Sequence, residues 1–226
     1  MVRIMIRAVA IDVDDTLCMT EEASFILENE VLTAMGRPPM PRSLHLQTWG
    51  EPLLQAMPKR SPGLDLDRFG PLFHDAMTRH VSDGLLDVIP PENLHALDEL
   101  LAEGFRLMLL TSRTGPEIRH MLEPDHALSS RITAAYHRDN TRFGKPDPRA
   151  FDELLSQAGL APPECVYVGD SPGDALAAGG AGVAFIACLQ SGVRRLSDFD
   201  PRYVTASISA FPEVVPTIKT LPGYGG

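Results

Sequence analysis

Asp12, Asp14 and Asp15 crowd into the stretch AIDVDDTLC, where an apolar run ends. Left alone, such carboxylates repel, at about 4 kcal/mol per pair for charges 4 Å apart at an effective dielectric of 20. Further carboxylates occur in GDSPGD, at Asp170 and Asp174, again behind an apolar run, CVYVG. Oxygen-only donors with no adjacent His or Cys favour a hard divalent ion such as Mg²⁺, which is commonly held by one or two carboxylates together with a substrate phosphate. Thr111 and Ser112 follow the run FRLMLL, and Lys145 stands in FGKPDP. A hydroxyl and an ammonium are the partners a phosphoryl oxygen would need. The chemistry suggested is phosphate handling.

These groups meet only if their apolar runs are neighbouring strands. Strands are expected over residues 8–13, 105–111, 132–136, 165–169, 183–187 and 203–206, with helical pattern between them, which predicts a parallel α/β sheet of doubly wound, Rossmann-like type. Ligands of such sheets bind beyond the carboxyl ends of the strands, where the strand order reverses. Asp12, Thr111, Lys145 and Asp170 all follow strands in this reading, so one crevice collects them. In KPDPRAFDELLSQAGL, Asp147 suits an N-cap, Pro148 the first helical position and Gly159 the stop. PPENLHALDELLAEG reads likewise, with Leu94, Leu97 and Leu101 inward and Gly104 as its end.

Residues 18–87 break the alternation. They carry helical periodicity only, with Ala23, Leu27, Val31 and Ala34 on one face and Leu66, Phe69, Phe73 and Met77 on another, joined by a Pro-rich connector. The expected organisation is therefore an α/β core of residues 1–17 and 88–226 with an inserted α-helical subdomain of residues 18–87.

Composition sets outer bounds. The chain has 226 residues, 44% hydrophobic and 22% charged, with a formal charge of −10. That balance argues against nucleic acid as a partner, since backbone binding needs clustered Lys and Arg. No run is long enough to span a membrane and no cleavable leader is visible, so a cytoplasmic protein without membrane contact is expected, as monomer or homodimer. Cys18, Cys165 and Cys188 are too few and too far apart for a disulfide framework or a zinc site, and read as buried thiols. The tail LPGYGG reads as frayed. His120, His126 and His137 read as surface or capping residues.

Taken in order, the motifs resemble the haloacid dehalogenase superfamily in its phosphatase branch. Its Asp-x-Asp-x-Thr-Leu is here Asp12 to Leu17, its strand ending in Thr or Ser is LMLLTS with Thr111, its Lys-Pro is Lys145-Pro146, and its Gly-Asp-x-x-x-Asp is Gly169 to Asp174. The resemblance is to members with a helical cap, such as phosphoglycolate phosphatases and β-phosphoglucomutases. It implies Asp12 as nucleophile forming an aspartyl phosphate, Asp14 as general acid and base, and Thr111, Ser112 and Lys145 as phosphoryl-binding groups. It also implies Mg²⁺ held by Asp12, the Asp14 carbonyl and Asp170, with Asp174 in direct contact or just behind. In related caps a Gly-x-Pro loop leans over the substrate, which points here to Trp49 and Gly50 as substrate-binding, with His45 beside them. Arg37, Arg42, Lys59 and Arg60 are candidates for a second anionic group. Position 15 is commonly Gly in the family; Asp15 reads as exposed or bonded to local backbone.

The implied function is Mg²⁺-dependent hydrolysis of a small phosphorylated metabolite, phosphoglycolate or a sugar phosphate being the resemblance's suggestion. A β-phosphoglucomutase-like phosphotransferase would use the same residues. Relatives that displace halide lack the second Asp of the first motif, so Asp14 speaks against dehalogenation. A receiver-like or catalytically idle aspartyl-phosphate domain is the reading from another class; the chain length and the insert after the first strand disfavour it.

Overall fold

The computed structural model describes residues 5–222 of the chain. Residues 223–226 of the expected frayed tail lie outside the described residues. In chain order the elements are β1 (Ala8–Ile11), then α1 (Glu21–Ala34), α2 (Arg42–Gln47), α3 (Leu53–Arg60), α4 (Leu66–Ser82) and α5 (Pro91–Ala102), followed by β2 (Arg106–Leu110) and the one-turn α6 (Gly115–Ile118). After these come β3 (Ala134–Tyr136), α7 (Asp152–Ala158), β4 (Cys165–Gly169), α8 (Pro172–Ala181), β5 (Ala184–Cys188), β6 (Ala206–Ile208) and α9 (Val214–Thr220). The chain divides into two compact units, Met1–Leu17 with Ile89–Gly226, and Cys18–Val88.

The first unit is a six-stranded parallel sheet in the order β3-β2-β1-β4-β5-β6, the doubly wound α/β arrangement the sequence predicts. Its four central strands are short, apolar and almost wholly buried because helices cover them, while the edge strands β3 and β6 are partly exposed. Ala8, Ala10, Met108, Leu110, Tyr167 and Phe185 belong to one buried cluster with Phe151, Leu154 and Ala178. Alternate residues point to opposite faces, and those of the other set, Val9, Ile11, Leu107, Leu109, Val166, Val168 and Ile186, are buried as well. The strand order reverses at β1, so β1 and β4 lie side by side with Ile11 opposite Val168. That junction places the residues after β1 beside those after β4.

Local chemistry sets the helix ends around the junction. Asp147 accepts a hydrogen bond from the Arg149 amide (2.9 Å), but the turn it opens is 3₁₀ over Pro148–Phe151 before α7 proper begins. Gly159 closes α7 in the left-handed conformation, as expected. At α8, Ser171 and Asp174 form a capping box with Pro172 at its start. Gly169 precedes that box for a steric reason: a Cβ there would stand 2.8 Å from Asp174 Cγ.

The second unit, Cys18–Val88, is all helix. Leu27, Val31, Leu32, Met40, Met57, Phe69, Ala76, Met77 and Leu86 form its core, with α1 packed on α4. Two features differ from the sequence expectation. The Pro-rich connector contains α2 and α3, whose first turns follow Pro41 and Pro52, because proline suits a helix start, where its missing donor costs nothing. Ala34 is exposed and the buried face of α1 instead takes in Glu28, whose charge Arg60 neutralises. In the first unit the last strand also falls later than expected, at Ala206–Ile208 rather than 203–206; residues 201–203 form a turn before it.

Candidate active site

Asp12 is the first residue past β1, its amide donating to the Val168 carbonyl of β4 at 2.9 Å. The sheet thus extends just far enough to fix the Asp12 backbone while freeing its side chain at the strand end. Asp170 leaves β4 next door, and Asp174 returns to the same place from the first turn of α8, where a negative charge is favoured by the helix dipole. Asp12, Asp170 and Asp174 are all buried and offer carboxylate oxygens within 4.8 Å of one another.

Lys145 is the cation in this cluster. Its Nζ lies 2.9 Å from Asp12 Oδ1 and 2.6 Å from Asp174 Oδ1, donates to the Tyr167 hydroxyl at 2.7 Å and reaches the Leu110 carbonyl at 3.4 Å. Tyr167 Oη is also 3.0 Å from the Leu110 carbonyl and 3.0 Å from Asp174 Oδ1. The other oxygen of Asp174 accepts from the Ser171 amide (3.0 Å) and hydroxyl (2.6 Å). Both oxygens of Asp174 accept hydrogen bonds from these donors, and the same carboxylate holds Lys145. Tyr167 had no signal in the sequence: in CVYVG it reads as one more apolar strand residue, and its ring does pack edge-on to Phe151 at 5.2 Å. Only the hydroxyl at the tip is functional-site material.

One ammonium does not balance these carboxylates. Burial, reinforced by Asp174 and Asp14 and opposed by Lys145, pushes Asp12 up to about 7. Burial together with Asp174 and Asp12 raises Asp170 well above the usual carboxylate range. Burial works against the charge on Lys145 too, but Asp12 and Asp174 outweigh it and hold its pKa above the ordinary lysine value. Asp174 is lowered despite its burial, because Lys145 and Ser171 bind its ionised form. Asp12 and Asp170 thus share an unmet need for positive charge. A divalent cation with hard oxygen preference meets that need, and the donor set fits Mg²⁺.

The remaining expected residues are placed as follows. Thr111 is the first residue past β2, buried, with its amide on the Tyr136 carbonyl (3.0 Å) and its hydroxyl accepting from the Arg113 amide (3.2 Å). Ser112 is exposed. Asp14 is not in the carboxylate cluster: its side chain turns to Arg113, whose Nη2 donates at 2.6 Å and Nε at 3.0 Å. Arg113, which ends the same apolar run as Thr111 and Ser112, is the cation paired with the expected acid and base. Asp15, expected to be exposed or bonded to local backbone, is buried with φ of 53°. This left-handed geometry explains why glycine suits the position, and Asp is among the few other residues that tolerate it.

In the helical unit, five of the expected ligand-binding residues are engaged with partners of the unit itself. His45 is fully buried, with Nδ1 2.8 Å from Glu21 Oε1 and its ring against Phe25 and Trp49. Arg60, also buried, holds both Glu28 oxygens at 2.7 Å and the Thr48 hydroxyl at 2.7 Å. Arg42 pairs with Glu21, and Arg37 donates to Ser61 at 2.7 Å. Buried charges so paired are structural, which corrects the expectations that Arg60 is available to an anion and His45 to the substrate. Lys59 is exposed and paired with Glu51 at 2.5 Å. Trp49 and Gly50 sit between α2 and α3, with Gly50 at φ of 91°.

A phosphoglycolate phosphatase of Vibrio parahaemolyticus is 27% identical over 93% of this chain and 96% of its own length. One from Aliivibrio fischeri is 32% identical, but the match spans 47% of each chain, so about half the length of that relative. Among solved structures, CbbY from Rhodobacter sphaeroides in complex with phosphate superposes with a TM-score of 0.76 at 21% identity over 93% of this chain and 96% of its own. A candidate β-phosphoglucomutase from Thermotoga maritima gives 0.75 at 23% identity over 96% and 100%. These structures share the fold. Residues 9–188, which contain every motif from Asp12 to Asp174, match the haloacid dehalogenase-like hydrolase model, and the chain belongs to that family.

Proposed function

We propose that the protein is a Mg²⁺-dependent phosphomonoester hydrolase acting on a small phosphorylated metabolite of the cytoplasm. The observation that carries this reading is the convergence of Asp12, Lys145 and Asp170 at the junction of β1 and β4. A carboxylate nucleophile must approach an anion there, and the adjacent cation lowers that repulsion. Asp12 attacks phosphorus; the ester P–O bond breaks, giving an aspartyl phosphate and the leaving alkoxide. Asp14, turned from Arg113, gives that oxygen its proton, then takes one from the water that attacks the aspartyl phosphate, releasing phosphate and Asp12. Lys145 and Thr111 bind the phosphoryl oxygens, and Asp174 and Tyr167 orient Lys145.

Asp12, Asp170 and the Asp14 carbonyl would hold Mg²⁺. When bound, the ion supplies charge neutralisation for the phosphoryl group. The names of the relatives make 2-phosphoglycolate the first substrate to test. Trp49 and Gly50 are proposed to select the substrate, and their substitution should change relative rates among phosphate esters more than the rate on p-nitrophenyl phosphate. The experiment is phosphate release from 2-phosphoglycolate and p-nitrophenyl phosphate with and without Mg²⁺. Metal-dependent release by the wild type, lost in Asp12→Asn, supports the reading; a wild type inert on a broad panel of phosphate esters removes it.

A further inference from the structure

We infer that Arg60 is a positioning residue for substrate choice: its guanidinium clamps Thr48 and so sets the loop that carries Trp49 and Gly50. The inference rests on the reading that Trp49 and Gly50 select the substrate, and deepens it. That loop joins two short helices, α2 of six residues and α3 of eight, lengths that are marginal without tertiary support. Arg60 divides its donors unequally. A single nitrogen, Nη1, meets Glu28, at 2.7 Å from each carboxylate oxygen. Nε and Nη2, a parallel pair of donors of the kind that grips a carboxylate, are turned on Thr48 instead: Nε donates to its hydroxyl at 2.7 Å and Nη2 to its backbone carbonyl at 3.0 Å.

Thr48 is buried and immediately precedes Trp49. Its hydroxyl passes the constraint back to α2 by donating to the Leu44 carbonyl at 3.0 Å, and its carbonyl also accepts from the Glu51 amide at 3.2 Å, closing a turn around Trp49 and Gly50. Backbone on both sides of those two residues is thus tied to one buried cation. The Trp49 side chain has a second support, since its ring lies 5.1 Å from that of His45, which is fully buried with Nδ1 2.8 Å from Glu21 Oε1. An ion pair alone does not account for this arrangement. A buried pair stabilises little against apolar residues of the same volume, and a side chain with one donor would meet the charge of Glu28. What the guanidinium adds is a fixed placement of the Thr48 hydroxyl and carbonyl, while Glu28 fixes the guanidinium in turn. Groups that discriminate between ligands need such buried supports, and a displacement of about 1 Å can cost about a hundredfold in rate.

The test uses Arg60→Met with Glu28→Leu, which removes the clamp without stranding a charge and so leaves stability close to that of the wild type. Trp49 is the only tryptophan of the chain, so fluorescence reports on the loop directly. In the double variant, quenching of Trp49 by acrylamide should rise by about twofold or more as the loop loosens. With saturating Mg²⁺, kcat/KM is measured for 2-phosphoglycolate and glucose 6-phosphate, each relative to p-nitrophenyl phosphate. The larger of the two wild-type ratios should fall by about tenfold, mainly through KM, with kcat on p-nitrophenyl phosphate within about twofold of the wild type. Thr48→Val keeps the pair of Glu28 and Arg60 and drops one arm of the clamp, so it should shift both readouts the same way by less. A purely structural role would move the urea midpoint and neither readout. The inference is overturned if the double variant, or Thr48→Val where the double variant folds poorly, keeps wild-type quenching or wild-type ratios while Trp49→Ala changes the ratios. Ratios unmoved by Trp49→Ala remove the reading that Trp49 selects the substrate, and the inference with it. A wild type inert on all three esters overturns the phosphatase reading itself.

Discussion

Lys145 Nζ stands 2.6 Å from Asp174 Oδ1 with both side chains almost wholly buried, and Asp174 is itself fixed by Ser171 in the first turn of α8. A helix cap thereby sets the position of a cation that reaches Asp12 at 2.9 Å. Removing the cation should do more than weaken binding. Lys145→Met is expected to lower kcat by about 10²–10³, the usual cost of losing a preorganised charge partner. It should also cost about 3–5 kcal/mol of stability at pH 8, as buried carboxylates lose their partner, and less at pH 5, where Asp12 is protonated. Steady-state kinetics and urea unfolding at the two pH values check both.

Tyr167→Phe isolates the support of that cation. The ring stays in its packing with Phe151 and Phe185 while the hydroxyl beside Lys145, Leu110 and Asp174 goes. A loss of about 1–3 kcal/mol is expected, with kcat reduced and the Mg²⁺ midpoint little changed. An equal loss of metal affinity would argue that Tyr167 acts on Asp170 instead.

The metal-free protein should become less stable as pH rises from about 4 to about 7. Asp12 titrates near 3.8 when unfolded and at about 7 when folded, so the folded state holds its proton more tightly and loses that advantage across the window. Asp170 shifts in the same direction. Asp174 is lowered, so its effect lies below the window, and Lys145 is raised, so its effect lies above. In EDTA the Tm should drop by about 5 °C or more between pH 5 and pH 8, and Mg²⁺ should restore it at pH 8. Thermal melts in EDTA that are flat with pH would contradict the charge account of the site.

Arg60 tests whether the helical unit's buried charges are structural. Arg60→Ala strands Glu28 and should destabilise that unit by about 3–5 kcal/mol, whereas the pair Arg60→Met with Glu28→Leu should be close to neutral. Denaturant unfolding of the single and double variants decides it.

The positions of these groups were legible to different degrees. Asp12, Thr111 and Asp170 stood out because each ends an apolar run, and the same runs gave the parallel sheet. Arg113 ends the same run as Thr111 and was legible in that way, but Tyr167 was not: a tyrosine in CVYVG looks apolar until its hydroxyl finds Lys145. Periodicity placed Ala34 on the inner face of α1 because it counts apolar residues alone, while the folded helix buries Glu28 through its ion pair with Arg60. Proline between Gly36 and Gly63 suggested a connector, where Pro41 and Pro52 in fact precede α2 and α3.

The central claim, that Asp12 accepts the phosphoryl group, is tested most directly by trapping it. Asp14→Asn should still be phosphorylated by p-nitrophenyl phosphate, whose leaving group needs no acid, yet should hydrolyse the adduct slowly for want of a base. Mass spectrometry of rapidly quenched protein is predicted to find one phosphoryl group on the peptide bearing Asp12, and none when Asp12→Asn is added. Wild-type turnover by Asp12→Asn, or a phosphoryl group carried on a different residue, would contradict the claim.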